Sequence, residues 1–207
     1  MNRIPVQQIR VLAIDPFARG FGFVILEGPE HLVDWGMKEV RQNKAARSLK
    51  QLTDLIEHYQ PDVIVAEDCR DKHCRRSSRV RELIQEILEL AANKKVKTDS
   101  VAKHTVKVAF VKSGPRTKDE IASVIAKRFP ELALRRPPVR QSWMSEAERM
   151  SIFDAAAFAL TFFTRRDCPD AGSKKEGEVM GNYAAWGGVI EDSVRMIRCA
   201  RSARGRL

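Results

Sequence analysis

Residues 11–26, VLAIDPFARGFGFVIL, form an apolar run that is interrupted by one aspartate, one proline, one arginine and two glycines. The apolar segments on either side of the turn predict two antiparallel strands, IRVLAID at 9–15 and FGFVILE at 21–27. A lone buried carboxylate is costly, so the position of Asp15 at the end of the first strand needs an explanation.

The next segments extend this start into a mixed sheet. HLVDWGM at 31–37 predicts a third strand of an antiparallel meander, and the spacing of leucines over 46–59 predicts a helix. DVIVAED at 62–68 is a continuous apolar run, which is typical of a parallel strand buried on both faces. Strand, helix and strand in this order predict a parallel crossover.

Helices dominate the second half of the chain. The periodic segment 77–93 predicts one helix, and VKTD at 96–99 predicts a short strand before the next. Capping boxes at Thr117–Glu120 and Ser145–Glu148 predict two more helix starts, the latter helix running to about residue 163. The predicted fold class is therefore α/β, a five-stranded mixed sheet with a three-stranded antiparallel meander, parallel strands and flanking helices.

Length and composition limit the classes of protein. A chain of 207 residues fits one sizeable domain, predicted over 1–166, followed by a basic, glycine-rich C-terminal extension over 167–207. No apolar stretch approaches the roughly 20 residues that span a bilayer, and no cleavable leader is recognisable, so we expect a cytoplasmic protein without a membrane partner.

The charge is strongly positive and clustered. Lysine and arginine number 37 against 27 acidic residues, which leaves a net charge of +10. Basic residues crowd three stretches, 70–81, 135–140 and 195–206. Such clusters favour binding to a polyanion, most simply nucleic acid, although any one of them could be an ordinary solvated surface.

Cysteine spacing argues against a metal-binding or disulfide framework. Cys69, His73 and Cys74 lie close together in CRDKHC, but the CxxC spacing of a zinc site and a second ligand pair are both lacking. We expect free thiols.

Three carboxylates occupy unusual positions. Asp15 and Glu67 end predicted strands that would be neighbours and parallel, and Asp154 lies within the apolar helix SIFDAAAFALTFF. In open α/β sheets, chemistry gathers at the carboxyl ends of parallel strands. Converging carboxylates repel each other, and a hard divalent cation relieves the repulsion, so a metal site explains all three. Taken singly, each has a structural alternative as a turn residue, an ion-pair partner or a partly exposed helix residue.

The ordered set of motifs resembles the RuvC-type Holliday-junction resolvases, a branch of the ribonuclease H-like superfamily. The similar segments, between residues 9 and 164, are IDPFARGFGFVIL, VIVAED, SSRVRELIQEI, VKTDSVAKHTVKVAF, GPRTKDEIASVIAKRF and FDAAAFALTFF. The resemblance implies a ribonuclease H-like fold with Asp15, Glu67 and Asp154 as catalytic metal ligands and Lys118 as a catalytic lysine near them. It further implies two Mg²⁺ ions per site, with Mn²⁺ as an alternative, and a homodimer acting on a four-way DNA junction in recombination and repair.

The chain departs from the family pattern at two positions. The family has a further acid one helical turn before Asp154, where this chain has Ser151, and glycine commonly follows the Asp-Pro, where this chain has Phe17. Glu148, one more turn back, is a candidate replacement ligand, with a helix-capping role as the alternative.

Arginines near the acids are candidates for binding DNA phosphates. They are Arg19, Arg70, Arg75, Arg76 and Arg79.

The sequence predicts a Mg²⁺-dependent endodeoxyribonuclease and leaves two alternatives open. An RNA-processing nuclease of the same superfamily would share every acid, and a nucleic-acid-binding protein without catalysis is favoured by Ser151. An actin-like or sugar-kinase ATPase would need a second glycine-rich phosphate loop and a longer chain.

Overall fold

The computed structural model contains one mixed five-stranded sheet flanked by helices. It describes residues 9–41, 43–70, 74–111, 114–115, 117–139, 143–145 and 147–167. The elements in chain order are β1 (Arg10–Phe17), β2 (Gly20–Glu27), β3 (His31–Glu39), α1 (Lys44–Tyr59), β4 (Val63–Glu67), α2 (Ser78–Asn93), β5 (Lys97–Val101), α3 (Lys103–Val111), α4 (Lys118–Arg128), α5 (Pro130–Ala133) and α6 (Met150–Asp167).

The strand order β3-β2-β1-β4-β5 places the first strand at the centre of the sheet. Strand β1 pairs antiparallel with β2 along its whole length, from Arg10 opposite Glu27 to Phe17 opposite Gly20. It pairs in parallel with β4 only from Val11 to Ala13. Strand β4 is in turn parallel to β5. The predicted fold class is confirmed, including the antiparallel meander and the parallel strands.

Alternation along the strands divides the core into two layers. Val11 and Ala13 of β1 pack with α6 and with helices α3 and α4, together with Val63 and Val65 of β4. Leu12 and Ile14 face the opposite side and pack against α1 and α2. Because side chains alternate along a strand, Asp15 and Glu67, two residues beyond Ala13 and Val65, both project towards the α6 face.

The last described helix begins later than the sequence predicts. The segment Ser145–Glu148 predicts a capping box, but α6 starts at Met150. The physical reason is that the Glu148 carboxylate accepts a hydrogen bond from Arg19 Nε at 2.8 Å, a partner 129 residues away in sequence. The predicted capping box at Thr117–Glu120 is present and opens α4.

Part of the predicted organisation falls outside the described residues. The C-terminal extension beyond residue 167 and its arginine cluster belong to this part, as do His73 and the other residues over 71–73. Among the described helices, none combines the length and apolar character that crossing a membrane requires.

Candidate active site

Two strand ends place Asp15 and Glu67 beside each other in the sheet. The parallel pairing of β1 with β4 ends at Ala13 opposite Val65, and each carboxylate lies two residues further along its strand. Both side chains are almost fully buried, with residue exposures of 2% and 1%. Burial of two ionised carboxylates is costly without compensating cations, so the surroundings must supply positive charge.

Helix α6 brings the third carboxylate over this edge because it packs very closely on β2. Gly22, which lies opposite Asp15 in the β1–β2 pairing, leaves room for the start of α6. A methyl group on Gly22 would lie 2.6 Å from the carbonyl carbon of Ser151. Asp154, one helical turn later and 15% exposed in its side chain, is thereby held near Asp15.

Arg76, in the connection between β4 and α2, binds both strand-end carboxylates. Its Nε donates to Glu67 Oε2 at 2.5 Å, its Nη2 donates to Asp15 Oδ1, and its Nη1 donates to the Pro16 carbonyl at 3.1 Å. The Pro16 carbonyl lies in the part of β1 that has no β4 partner. The guanidinium thus fills the gap that opens where β1 and β4 separate.

Two lysines complete the ring of cations, and each is the first residue of its helix. Lys118 Nζ of α4 lies 2.5 Å from Asp154 Oδ2, and Lys103 Nζ of α3 lies 3.6 Å from Glu67 Oε1. Three carboxylates therefore face three side-chain cations. The formal charges of these six side chains cancel. A ligand that displaced one of the cations would leave the site negatively charged.

The electrostatic environment of Asp15 is dominated by burial. Desolvation, followed by repulsion from Asp154, raises the pKa of Asp15 from 3.8 to about 7, against the opposing effect of Arg76 and the two lysines. An ionised Asp15 is therefore under-compensated, and an additional cation at this position would be stabilising.

The remaining candidates lie around this centre rather than in it. Glu148 is paired with Arg19 at 2.8 Å and does not join the three acids. Arg70 contacts Asp68 at 3.4 Å, and Arg75 and Arg79 are exposed. Of the five predicted DNA-binding arginines, the structure thus leaves four on the surface and directs Arg76 onto the acids.

Solved structures with the same architecture come from Holliday-junction resolvases. Thermus thermophilus RuvC matches with a TM-score of 0.56 and 20% identity over 77% of this chain and 97% of that chain. T. thermophilus RuvC in complex with Holliday junction substrate matches with a TM-score of 0.56 and 15% identity, over 77% and 96% of the two chains. The yeast mitochondrial Holliday junction resolvase Ydc2 matches with a TM-score of 0.54 and 16% identity, over 75% and 78%.

The chain has the RuvC-type ribonuclease H-like fold. No family model matches the sequence, and no curated protein sequence matches it. The fold predicted from the ordered motifs is therefore confirmed by structure, where comparison of sequences finds nothing.

Within this RuvC-type fold, Ser151 occupies the position for which the resemblance implies a fourth acid. The side chain is 4% exposed, and its Oγ donates to the Glu148 carbonyl at 2.6 Å. The hydroxyl is thus turned back along its own helix. Its close packing on Gly22 places residue 151 directly beside the strand pair that carries Asp15.

The donor set of this site suits a hard divalent cation. Asp15, Glu67 and Asp154 supply only carboxylate oxygens, the ligands that Mg²⁺ and Mn²⁺ prefer, and Asp15 and Glu67 are almost fully buried. Within the described residues, no three His, Cys, Asp or Glu side chains are already arranged around one point. Instead, Arg76 binds Asp15 and Glu67, and Lys118 binds Asp154.

Two features of the site were not recognised in the sequence. Lys103 was not singled out, although it lies just after β5, whose last residue Val101 pairs with Glu67. A basic residue directly after a parallel strand at the carboxyl edge was the available signal. Arg76 was predicted to bind DNA phosphates, and no local pattern distinguishes it from Arg75.

The cysteines beside the site are free thiols. The Sγ atoms of Cys69 and Cys74 lie 3.2 Å apart in a weak hydrogen bond. Burial, followed by this contact, raises the pKa of Cys69 to about 12.

Proposed function

We propose that the chain is a divalent-metal-dependent endonuclease that cuts phosphodiester bonds of branched DNA. The observation that carries the proposal is the convergence of Asp15, Glu67 and Asp154 at the carboxyl edge of a RuvC-type sheet. All three acids are already engaged by cations, which indicates a centre built to hold positive charge. The net charge of +10 on the chain suits a polyanionic substrate.

The proposed metal ligands are Asp15, Glu67 and Asp154, with Mg²⁺ or Mn²⁺ as the ion. Bound metal would supply activation of water for in-line attack and stabilisation of the leaving oxygen. Glu148 stays a proposed additional ligand, although it would have to leave Arg19 in order to reach the other acids.

Protein side chains would position the DNA strand around this centre. Lys118 is close enough to Asp154 to contact a phosphate bound there, and its ammonium would offset charge that develops on the phosphate. The exposed arginines Arg19, Arg70, Arg75 and Arg79 would contact flanking phosphates, which fixes the register of the strand without reading its sequence.

A four-way junction is the proposed substrate, and a homodimer the proposed assembly. One structural neighbour is a RuvC in complex with Holliday junction substrate. Two copies would allow one cut in each of two strands. Leu83, Ile84 and Ile87 of α2 are buried in the core of the same chain, so these three side chains would not contribute to a dimer surface. Light scattering with size-exclusion chromatography measures the assembly state.

The decisive experiment is cleavage of a synthetic four-way DNA junction with and without Mg²⁺, beside a linear duplex and an RNA hairpin. We expect symmetric nicks in the junction from the wild type, none from Asp15→Asn, and nicks from Asp68→Asn. Asp68 is the matched control because it follows Glu67 directly but pairs with exposed Arg70. Nicks that persist in Asp15→Asn would contradict the proposal. Preferential cutting of RNA would favour the RNA-processing alternative, and metal-independent binding without cutting would favour a non-catalytic protein.

A further inference from the structure

The guanidinium of Arg76 lies between two carboxylates of the site. Its three contacts, to Glu67 Oε2, Asp15 Oδ1 and the Pro16 carbonyl, all point inward. The Arg76 side chain is only 17% exposed, so solvent contributes little to satisfying its donors. A guanidinium keeps its charge at every physiological pH, which makes this a fixed positive charge in the site.

Both oxygens of Glu67 face side-chain cations. Arg76 contacts Oε2 at 2.5 Å, and Lys103 lies 3.6 Å from Oε1. A dication inserted between Glu67 and Asp15 would stand at contact distance from the Arg76 guanidinium. Repulsion between such charges is strong in a buried site, where water screens little. Glu67 and the adjoining edge of Asp15 are therefore already supplied with positive charge.

The other side of Asp15 is different, because it faces a second carboxylate. Repulsion from Asp154 acts on Asp15, and Lys118 Nζ lies 2.5 Å from Asp154 Oδ2. Arg76 engages Asp15 from the side of Glu67, whereas the cation that contacts Asp154 is Lys118, a partly exposed side chain on a flexible stem. Positive charge is thus in short supply between Asp15 and Asp154 and in sufficient supply between Asp15 and Glu67.

We propose that the site takes a single divalent cation, between Asp15 and Asp154, and that Arg76 supplies the second positive charge in place of a second ion. The proposal rests on the proposed function for the identity of the metal ligands. It differs from the two-ion site that the sequence resemblance implies. Arg76 acts here as a fixed counter-charge for Asp15 and Glu67.

Counting bound ions tests the proposal without measuring cleavage. Full-length protein is dialysed against Mn²⁺, the bound metal is counted per chain, and electron paramagnetic resonance distinguishes an isolated Mn²⁺ from an exchange-coupled pair. We expect one isolated ion in the wild type. Arg76→Gln frees Glu67 and the adjoining oxygen of Asp15, so we expect two coupled ions in this variant.

Arg75→Gln is the matched control, because it removes the same charge from the neighbouring, exposed position. It should keep one isolated ion. If Arg76→Gln folds only in the presence of metal, the number of Mn²⁺ ions bound per wild-type chain still tests the proposal. Two ions or none in the wild type, or an unchanged count in Arg76→Gln, would overturn the proposal.

The outcome is separable from the proposed function. One ion in a wild type that cuts no junction leaves this inference standing and removes the nuclease assignment. Two coupled ions in a wild type that cuts junctions would overturn this inference and support the nuclease assignment.

Discussion

Substitution of Gly22 by alanine tests whether the close packing of α6 on β2 sets the position of Asp154. A Cβ atom at residue 22 would lie 2.4 Å from Ser151 Oγ, 2.6 Å from the Ser151 carbonyl carbon and 2.8 Å from Ile152 N. Two of these atoms are backbone, so no rotation of a side chain relieves them. Ordinary contact begins near 3.4 Å, and α6 must therefore move away by roughly 0.8 Å.

The expected cost follows from this displacement. Overpacking a core costs about 1–3 kcal/mol when side chains adjust, and backbone clashes place Gly22→Ala at the upper end, about 3 kcal/mol. Asp154 lies one turn beyond the clash, so the same shift moves it relative to Asp15. Misplacement of about 1 Å in a catalytic centre lowers activity by about 100-fold, and we expect losses of that order in Mg²⁺-dependent cleavage.

Gly36→Ala is the matched control on the neighbouring strand. A Cβ atom there would meet only the ring of Phe23, at 3.1 and 3.4 Å, and a small ring movement accommodates it. The entropic gain of replacing glycine in the unfolded chain, about 0.4–1 kcal/mol, is common to both variants and cancels in the comparison. Urea unfolding in EDTA and junction cleavage give the two readouts. Equal unfolding midpoints for Gly22→Ala and Gly36→Ala would refute the packing argument.

Two further predictions concern charge and helix capping. The raised pKa of Asp15, about 7 against 3.8, means that the metal-free folded state holds a proton that the unfolded state releases between these pH values. Its free energy of unfolding should therefore fall as pH rises, by on the order of 3 kcal/mol between pH 5 and pH 8. Urea titrations in EDTA measure this, and an equal fall in Asp15→Asn would contradict it. Thr117→Ala removes a capping box in which Thr117 Oγ1 accepts from Glu120 N at 3.2 Å, so it should cost about 1 kcal/mol. Thr53→Ala is its control, because the Thr53 hydroxyl bonds only to the Leu49 carbonyl within α1. Equal costs for the two variants would show that the cap does not stabilise α4.

The fold was predictable because its determinants are local and periodic. The two apolar segments of 11–26, the continuous apolar run before Glu67 and the capping box at Thr117 each specify their element within a few residues. Order along the chain then limits the topology to few choices. The positions of Asp15 and Glu67 at one sheet edge follow from the same reasoning.

The details of the site were less predictable because they depend on contacts distant in sequence. Arg76 reaches Asp15 across 61 residues, and Arg19 reaches Glu148 across 129. Neighbouring arginines in 70–81 carry the same charge, and only the path of the connection after β4 decides which one turns inward. The predicted start of α6 was wrong for the same reason, since the Glu148 carboxylate pairs with Arg19 rather than with the backbone of a helix cap.

The alternating pattern of β1 has a consequence for how this protein tolerates mutation. Ala13 and Asp15 face α6, whereas Leu12 and Ile14 face α1 and α2. A substitution in this strand changes packing but leaves Asp15 on the same face. Insertion or deletion of one residue ahead of Asp15 would instead turn its carboxylate to the opposite face of the sheet. Exchange of one apolar residue of this strand for another of similar volume therefore leaves Asp15 facing α6, whereas any change in the number of residues ahead of Asp15 must come in steps of two.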